Sequence, residues 1–327
     1  MSDRDSDPSS EAPSSEPANA REPSSEAPRR EPVSPTGVRP MSAMGAFFWV
    51  VIATCFFVFM ISVAAMLRDG ATADPVVGGM SQLVGYGLAL FAILRIYAPE
   101  ENLGRVVAAQ KTTPLLYVLG ALIGLALILP INDIYEVLTR LSPESQPDEL
   151  PKMLEEATTA SRVMVGVSLA LIAPLAEETI FRGALFSLLK VMARESSLFA
   201  SPRGLAGISL RDDDASPARR SSGVESIIVT TILFALIHLE WQRMVPILFM
   251  GAVFGLMRQR SGSIFPGMLA HIVFNGVAFG FLVFGVEAGP PLWVSIASGA
   301  LGLALITVFV LVARKSSAAA TARGAEL

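Results

Sequence analysis

Residues 171–183, "LIAPLAEETIFRG", decide how the whole chain is read. The flanks are apolar and helix-like, yet the stretch carries Glu177, Glu178 and Arg182. The surrounding composition sets the solvent for these charges. Of 327 residues, 52% are hydrophobic and 17% charged, with a mean hydropathy of +0.54. That balance is too apolar for a soluble domain of this length and points to a chain that crosses a bilayer several times. An ionisable group at mid-bilayer depth costs at least about 2.5 to 3.5 kcal/mol. The three charges must therefore face the bundle interior or a wet cavity, and they must be partnered.

Working outward, apolar runs long enough for a hydrocarbon core of about 30 Å predict an all-α polytopic transmembrane bundle of about eight helices. The expected spans are 44–67, 75–97, 114–132, 161–193, 224–239, 244–257, 264–285 and 291–313. Residues 1–42, rich in Ser, Pro and Glu, lack apolar periodicity and read as a disordered cytoplasmic tail. The division expected is that tail, N-terminal transmembrane helices over 43–160, a core over 161–285 with a flexible insertion at 194–223, and a last helix with a short cytoplasmic tail over 286–327. The acidic 142–156 connection reads as a solvated loop with a short interfacial helix. Small residues four apart, Gly120 with Gly124 and Gly251 with Gly255, predict close helix approach.

Basic residues in the short connections fall on one side of an eight-span count: Arg29, Arg30 and Arg39, then Arg105 and Lys111, the set from Lys190 to Arg220, Arg258 and Arg260, and Arg314 with Lys315. Both termini are therefore expected in the cytoplasm of an integral, multi-pass membrane protein. The net charge of -4 and the lack of a concentrated basic patch point away from nucleic acid. The single cysteine, Cys55, lies in an apolar run, which excludes an internal disulfide.

On a helix Glu178 and Arg182 stand at i and i+4 with the carboxylate first, the favourable order for an ion pair. Glu177 points about 100° away and can serve another purpose. Pro174 removes a helical N–H one turn earlier, leaving the Ala170 carbonyl without its usual partner and favouring a kink. The chain has 2 histidines, His238 ending "FALIH" and His271 opening "HIVFN", both within apolar segments. His271 and Asn275 share a helix face, and Phe234 lies a turn from His238. Together these residues have the parts for hydrolysis. Glu177 would be a general base for water, His238 would orient that water or ligate a metal, and His271 with Asn275 would offer N–H donors to an oxyanion. A divalent metal such as zinc stays open, with His238, His271 and Glu177 or Glu178 as ligands, because no HExxH pair is present. Ser168 and Ser187 have no nucleophile motif around them.

The three signatures in order, "EETIFR", "FALIH" and "HIVFN", match EExxxR, FxxxH and HxxxN. Over residues 160–285 the chain thus resembles the CAAX prenyl protease and bacteriocin-processing family of intramembrane proteases. The resemblance implies an intramembrane endopeptidase, of glutamate or metallo type, acting on a membrane-associated protein or peptide at the bilayer. It implies Glu177 as water activator, Glu178 and Arg182 as a supporting pair, His238 as the water-orienting or metal-binding histidine, and His271 with Asn275 as the oxyanion pair. A prenylated substrate is not carried over. A non-catalytic scaffold and a proton-coupled transporter are the competing readings. One feature departs from the pattern: His238 falls near the non-cytoplasmic end of its expected span and His271 in the cytoplasmic half of its own. Their depths agree if the fifth helix begins before Val224 or is displaced toward the cytoplasm.

Overall fold

A computed structural model describes residues 38–68, 70, 74–142, 150–195, 217–238, 240–285 and 289–324. Every regular element among these residues is a helix. The first, α1 (Ala43–Leu67), starts where the Ser42 hydroxyl accepts from the Gly45 N–H. At about 1.5 Å per residue its 25 residues reach about 37 Å, enough to cross the hydrocarbon. After it, α2 (Pro75–Tyr97) opens on an Asp74 cap and on a proline whose fixed φ suits a first helical turn. A short α3 (Leu103–Val106) precedes α4 (Pro114–Ala126) and α5 (Ile128–Arg140), which run on as one apolar rod over Pro114–Arg140.

The charged stretch lies in a longer rod with two changes of winding. α7 (Thr159–Val167) passes through a π-helical segment, Ser168–Ile172, into α8 (Ala173–Glu178), then through a second, Thr179–Leu185, into α9 (Phe186–Glu195). Before this rod lies a short α6 (Leu150–Glu156), the helix expected in the acidic connection; residues 143–149 of that connection lie outside the described residues.

The eight expected spans all contain helix, but six are long and apolar enough to cross a membrane: Ala43–Leu67, Val76–Tyr97, Pro114–Arg140, Thr159–Val191, Phe265–Val283 and Leu292–Ala318. The exceptions are α10 (Pro217–Leu236) and α11 (Trp241–Ser261). The apolar part of α10, Gly223–Leu236, spans about 20 Å, short of the hydrocarbon thickness. The helix stops at Leu236, so His238 lies in the turn leading to α11 and not inside a span reaching 239. At its other end α10 begins at Pro217, seven residues before Val224, as the histidine depths required. The expected insertion at 194–223 is helical from Pro217, and residues 196–216 lie outside the described residues. α11 closes on Gly262, whose φ of 71° is the left-handed conformation that glycine adopts without penalty. α12 (Phe265–Val283) and α13 (Leu292–Gly324) complete the chain.

Two apolar clusters organise the packing. One joins α1, α2, α8 to α10 and the second π segment through Val50, Ala89, Ile180, Leu188 and Phe234. The other joins α4, α5, α11, α12 and α13 through Leu119, Ile123, Phe254, Ala270 and Phe309. A Cβ on Gly120 would meet the Pro266 carbonyl at 2.5 Å, and one on Gly124 would press on the Ala270 carbonyl, so the first glycine pair lets α4 lie against the α12 backbone. Residues 1–37 of the expected tail lie outside the described residues, but its last residues are packed. The Arg39 N–H donates to the Tyr97 carbonyl, the Met41 N–H to Leu188, and Met41 is fully buried.

Candidate active site

Glu177 and Glu178 lie near the middle of the Thr159–Val191 span, at the seam between the two clusters. Both are buried, and Glu178 and Arg182 are essentially inaccessible, at 0% and 1%. The expected ion pair is present, with Arg182 Nη1 at 3.0 Å from Glu178 Oε1. The guanidinium lies over the Phe234 ring at 4.2 Å and near Phe254 at 5.6 Å, so one aromatic from each cluster covers it. Its Nη2 also donates to the Gly251 carbonyl at 3.4 Å, where a Cβ on Gly251 would approach that nitrogen to 3.2 Å. The second glycine pair thus includes a residue that makes room for a buried cation.

His271, on α12, brings the opposite cluster to the glutamates. Its Nδ1 is 3.1 Å from Glu178 Oε1 and its Nε2 is 3.9 Å from Glu177 Oε2. A carboxylate held by arginine accepts only, so Nδ1–H is the donor, and Nε2 is the ring nitrogen turned toward Glu177. The ring stacks on Phe254 at 5.0 Å. Glu177 is held from another direction: Gln82 on α2 donates from Nε2 to Glu177 Oε1 at 2.9 Å. The two adjacent glutamates therefore have different partners, as their angular separation on a helix predicts.

Asn275 is tied to the first π segment. The N–H of Ala173 bonds the Ser168 carbonyl, an i to i−5 link, and in that register the missing N–H of Pro174 belongs to Leu169. Asn275 Nδ2 donates to the Leu169 carbonyl at 3.0 Å and takes the place of the absent amide. The carbonyl orphaned by Pro174 is thus that of Leu169, not Ala170 as α-helical counting predicts. Asn275 keeps one amide hydrogen for another acceptor.

His238 hydrogen-bonds through Nδ1 to the Phe234 carbonyl at 2.8 Å. A carbonyl accepts only, so that nitrogen carries the proton and Nε2 is an acceptor in the neutral ring. Its ring meets the Phe234 ring edge-on at 5.1 Å, and the same ring lies 6.0 Å from His271. Phe234 therefore brings both histidines to one aromatic side chain, although His238 makes no hydrogen bond to a glutamate among the described residues.

No three His, Cys, Asp or Glu side chains gather as a metal-binding group among the described residues, the set His238, His271 and Glu177 included. Each histidine is bonded through Nδ1 and keeps Nε2 open, and each glutamate keeps one oxygen outside the bonds described above.

Three contributors escaped the sequence reading. Gln82 stands outside every motif, and its one signal is an amide in an apolar helix. Tyr86, buried one turn further along α2, stands on the same helix face as Gln82. Arg258, counted in the sequence for topology alone, is buried, donates from Nε to the Arg182 carbonyl at 3.0 Å and from Nη2 to the Ser187 hydroxyl at 3.1 Å.

The fold and the cluster define a polytopic helical membrane protein with a buried glutamate, histidine and arginine centre. Residues 159–277 match the sequence model of a family described as type II CAAX prenyl endopeptidase Rce1-like. Over this core the chain is similar to that family of CAAX-type membrane endopeptidases. No curated protein and no solved structure matched the chain.

Proposed function

We propose that the chain is an intramembrane endopeptidase in which Glu177 activates water to cleave a peptide bond in a membrane-associated protein or peptide. One observation carries the reading: Glu177 Oε2 and His271 Nε2 face each other at 3.9 Å, too far for a direct hydrogen bond. In the neutral state both atoms are acceptors, and a water about 2.8 Å from each can donate one hydrogen to either side. Glu177 takes a proton from that water as its oxygen adds to the substrate carbonyl carbon. The free amide hydrogen of Asn275 suits the oxyanion. The C–N bond then breaks and the proton held by Glu177 passes to the departing amine, giving a carboxylate and an amine terminus.

This geometry favours one exchange of roles. His271, with Nδ1–H already donated to Glu178, becomes the water-orienting histidine. His238, with Nε2 open at the head of a turn, is the group to meet substrate or leaving amine. Glu178 and Arg182 hold the ring and the rod in place. With six or eight crossings both termini fall on one side, and the basic residues of the short connections make that side the cytoplasm.

The test is a comparison of membrane-peptide profiles from cells carrying the native chain and Glu177→Gln, with folding verified by resistance to detergent-induced unfolding. Products confined to the native chain are expected. Identical products from folded Glu177→Gln would remove Glu177 from the chemistry and leave the scaffold reading.

A further inference from the structure

Among the described residues no lysine or arginine is shown paired with Glu177, and the Arg182 ion pair goes to Glu178. What fixes its carboxylate comes from outside the family-matched region, on α2. Gln82 Nε2 donates to Glu177 Oε1 at 2.9 Å, and because a carboxylate only accepts, the amide nitrogen must face Glu177. With Oε1 held, the carboxylate plane is set and Oε2 is the atom turned to His271 Nε2. Tyr86, buried at i+4, stands on the same helix face as Gln82.

The placement of α2 is also set closely. Gly79 and Gly85 stand three residues to either side of Gln82. A Cβ at Gly79 would lie 2.6 Å from Ser168 Oγ, and one at Gly85 2.7 Å from the Phe57 backbone nitrogen. One glycine seats α2 on the first π segment and the other seats it on α1. A shift of α2 along its axis would move the Gln82 amide away from Glu177.

We propose that Gln82 is a positioning residue for Glu177: its amide holds Oε1 so that Oε2 is the proton-accepting oxygen, which makes α2 part of the catalytic unit. An amide does this without bringing a positive charge that would compete for the proton. The inference rests on the endopeptidase reading above.

The experiment uses the full chain in liposomes and a membrane peptide identified as its Glu177-dependent product source. Gln82→Leu, which keeps bulk and removes the donor, is expected to lower kcat about ten- to a hundredfold with KM unchanged within about twofold, the cost of a small misplacement of a reacting group. The carboxylate stretch of Glu177, isolated as the infrared difference between native and Glu177→Gln, should shift in Gln82→Leu, a signature that general loosening of the bundle would not give. This reading does not depend on turnover and still applies if Gln82→Leu proves less stable. Glu177-dependent cleavage with native kcat in Gln82→Leu, or an unmoved band, overturns the inference alone. A native chain with no Glu177-dependent cleavage overturns the endopeptidase reading and this one with it.

Discussion

Replacing Arg182 with methionine removes the guanidinium that holds Glu178 at 3.0 Å, from a pair exposed by 1% and 0%. The carboxylate would keep the His271 Nδ1–H and lose its cation, and the oxygen Oε2, already without a hydrogen-bond partner, would gain none. Breaking a buried pair by removing one partner costs about 3 to 5 kcal/mol, because a charge stays behind uncompensated. At 1.4 kcal/mol per decade this lowers the folded-to-unfolded ratio by about two to three and a half orders of magnitude. Pairing Arg182→Met with Glu178→Gln removes both charges, and the glutamine oxygen can still accept from His271. The double variant should therefore recover most of the loss, with a coupling energy of about 2 to 3 kcal/mol. Unfolding in mixed micelles with rising dodecyl sulfate, followed by proteolysis of the unfolded fraction, measures all four corners of the cycle. A single variant within about 0.5 kcal/mol of native, or a double variant no more stable than either single, would show that the pair is not what holds the centre.

Two further outcomes follow from other parts of the structure. Asn275→Leu leaves the Leu169 carbonyl without a donor inside the bundle, and a loss of about 1 to 3 kcal/mol is expected in the same unfolding assay; Pro174→Ala in that background returns an N–H to the helix and should restore part of it. Asp74, at the α1–α2 connection, has its pKa lowered from 3.8: burial alone would raise it, but the Val76 N–H, the Arg68 guanidinium 2.7 Å away and the Val77 N–H together prevail. A lowered folded-state pKa contributes stability that is present above the unfolded value and lost as pH falls through the folded one. Native protein should therefore lose stability below about pH 4 by more than Asp74→Asn does, measured by unfolding across pH.

Much of the centre was legible because charge in lipid has few uses. The Glu178–Arg182 pair, the separate direction of Glu177 and the shared face of His271 and Asn275 all follow from 3.6 residues per turn. Winding was not legible. Glu177 and Glu178 sit between two π segments, and α-helical counting therefore placed the orphaned carbonyl one residue too far along. Hydropathy also counted α10 and α11 as full spans, since apolar composition does not reveal that a helix stops at Leu236. Gln82 and Arg258 were hidden for another reason: their partners lie about 95 and 76 positions away, a separation no local pattern records.

The two π segments have a consequence for how such a rod can change. Each accommodates a residue beyond what an α-helix of the same reach needs, and one residue corresponds to about 100° of rotation about the axis. The six residues of α8 therefore sit like a dial between two adjustable couplings. The exposed apolar stripe of α7 and the buried face of α9 can keep their own phase while the glutamates are turned independently toward α2 and α12. A one-residue deletion within Ser168–Ile172 would reset that dial without disturbing the helix beyond it, whereas the same deletion inside α7 would rotate lipid-facing and site-facing residues against each other.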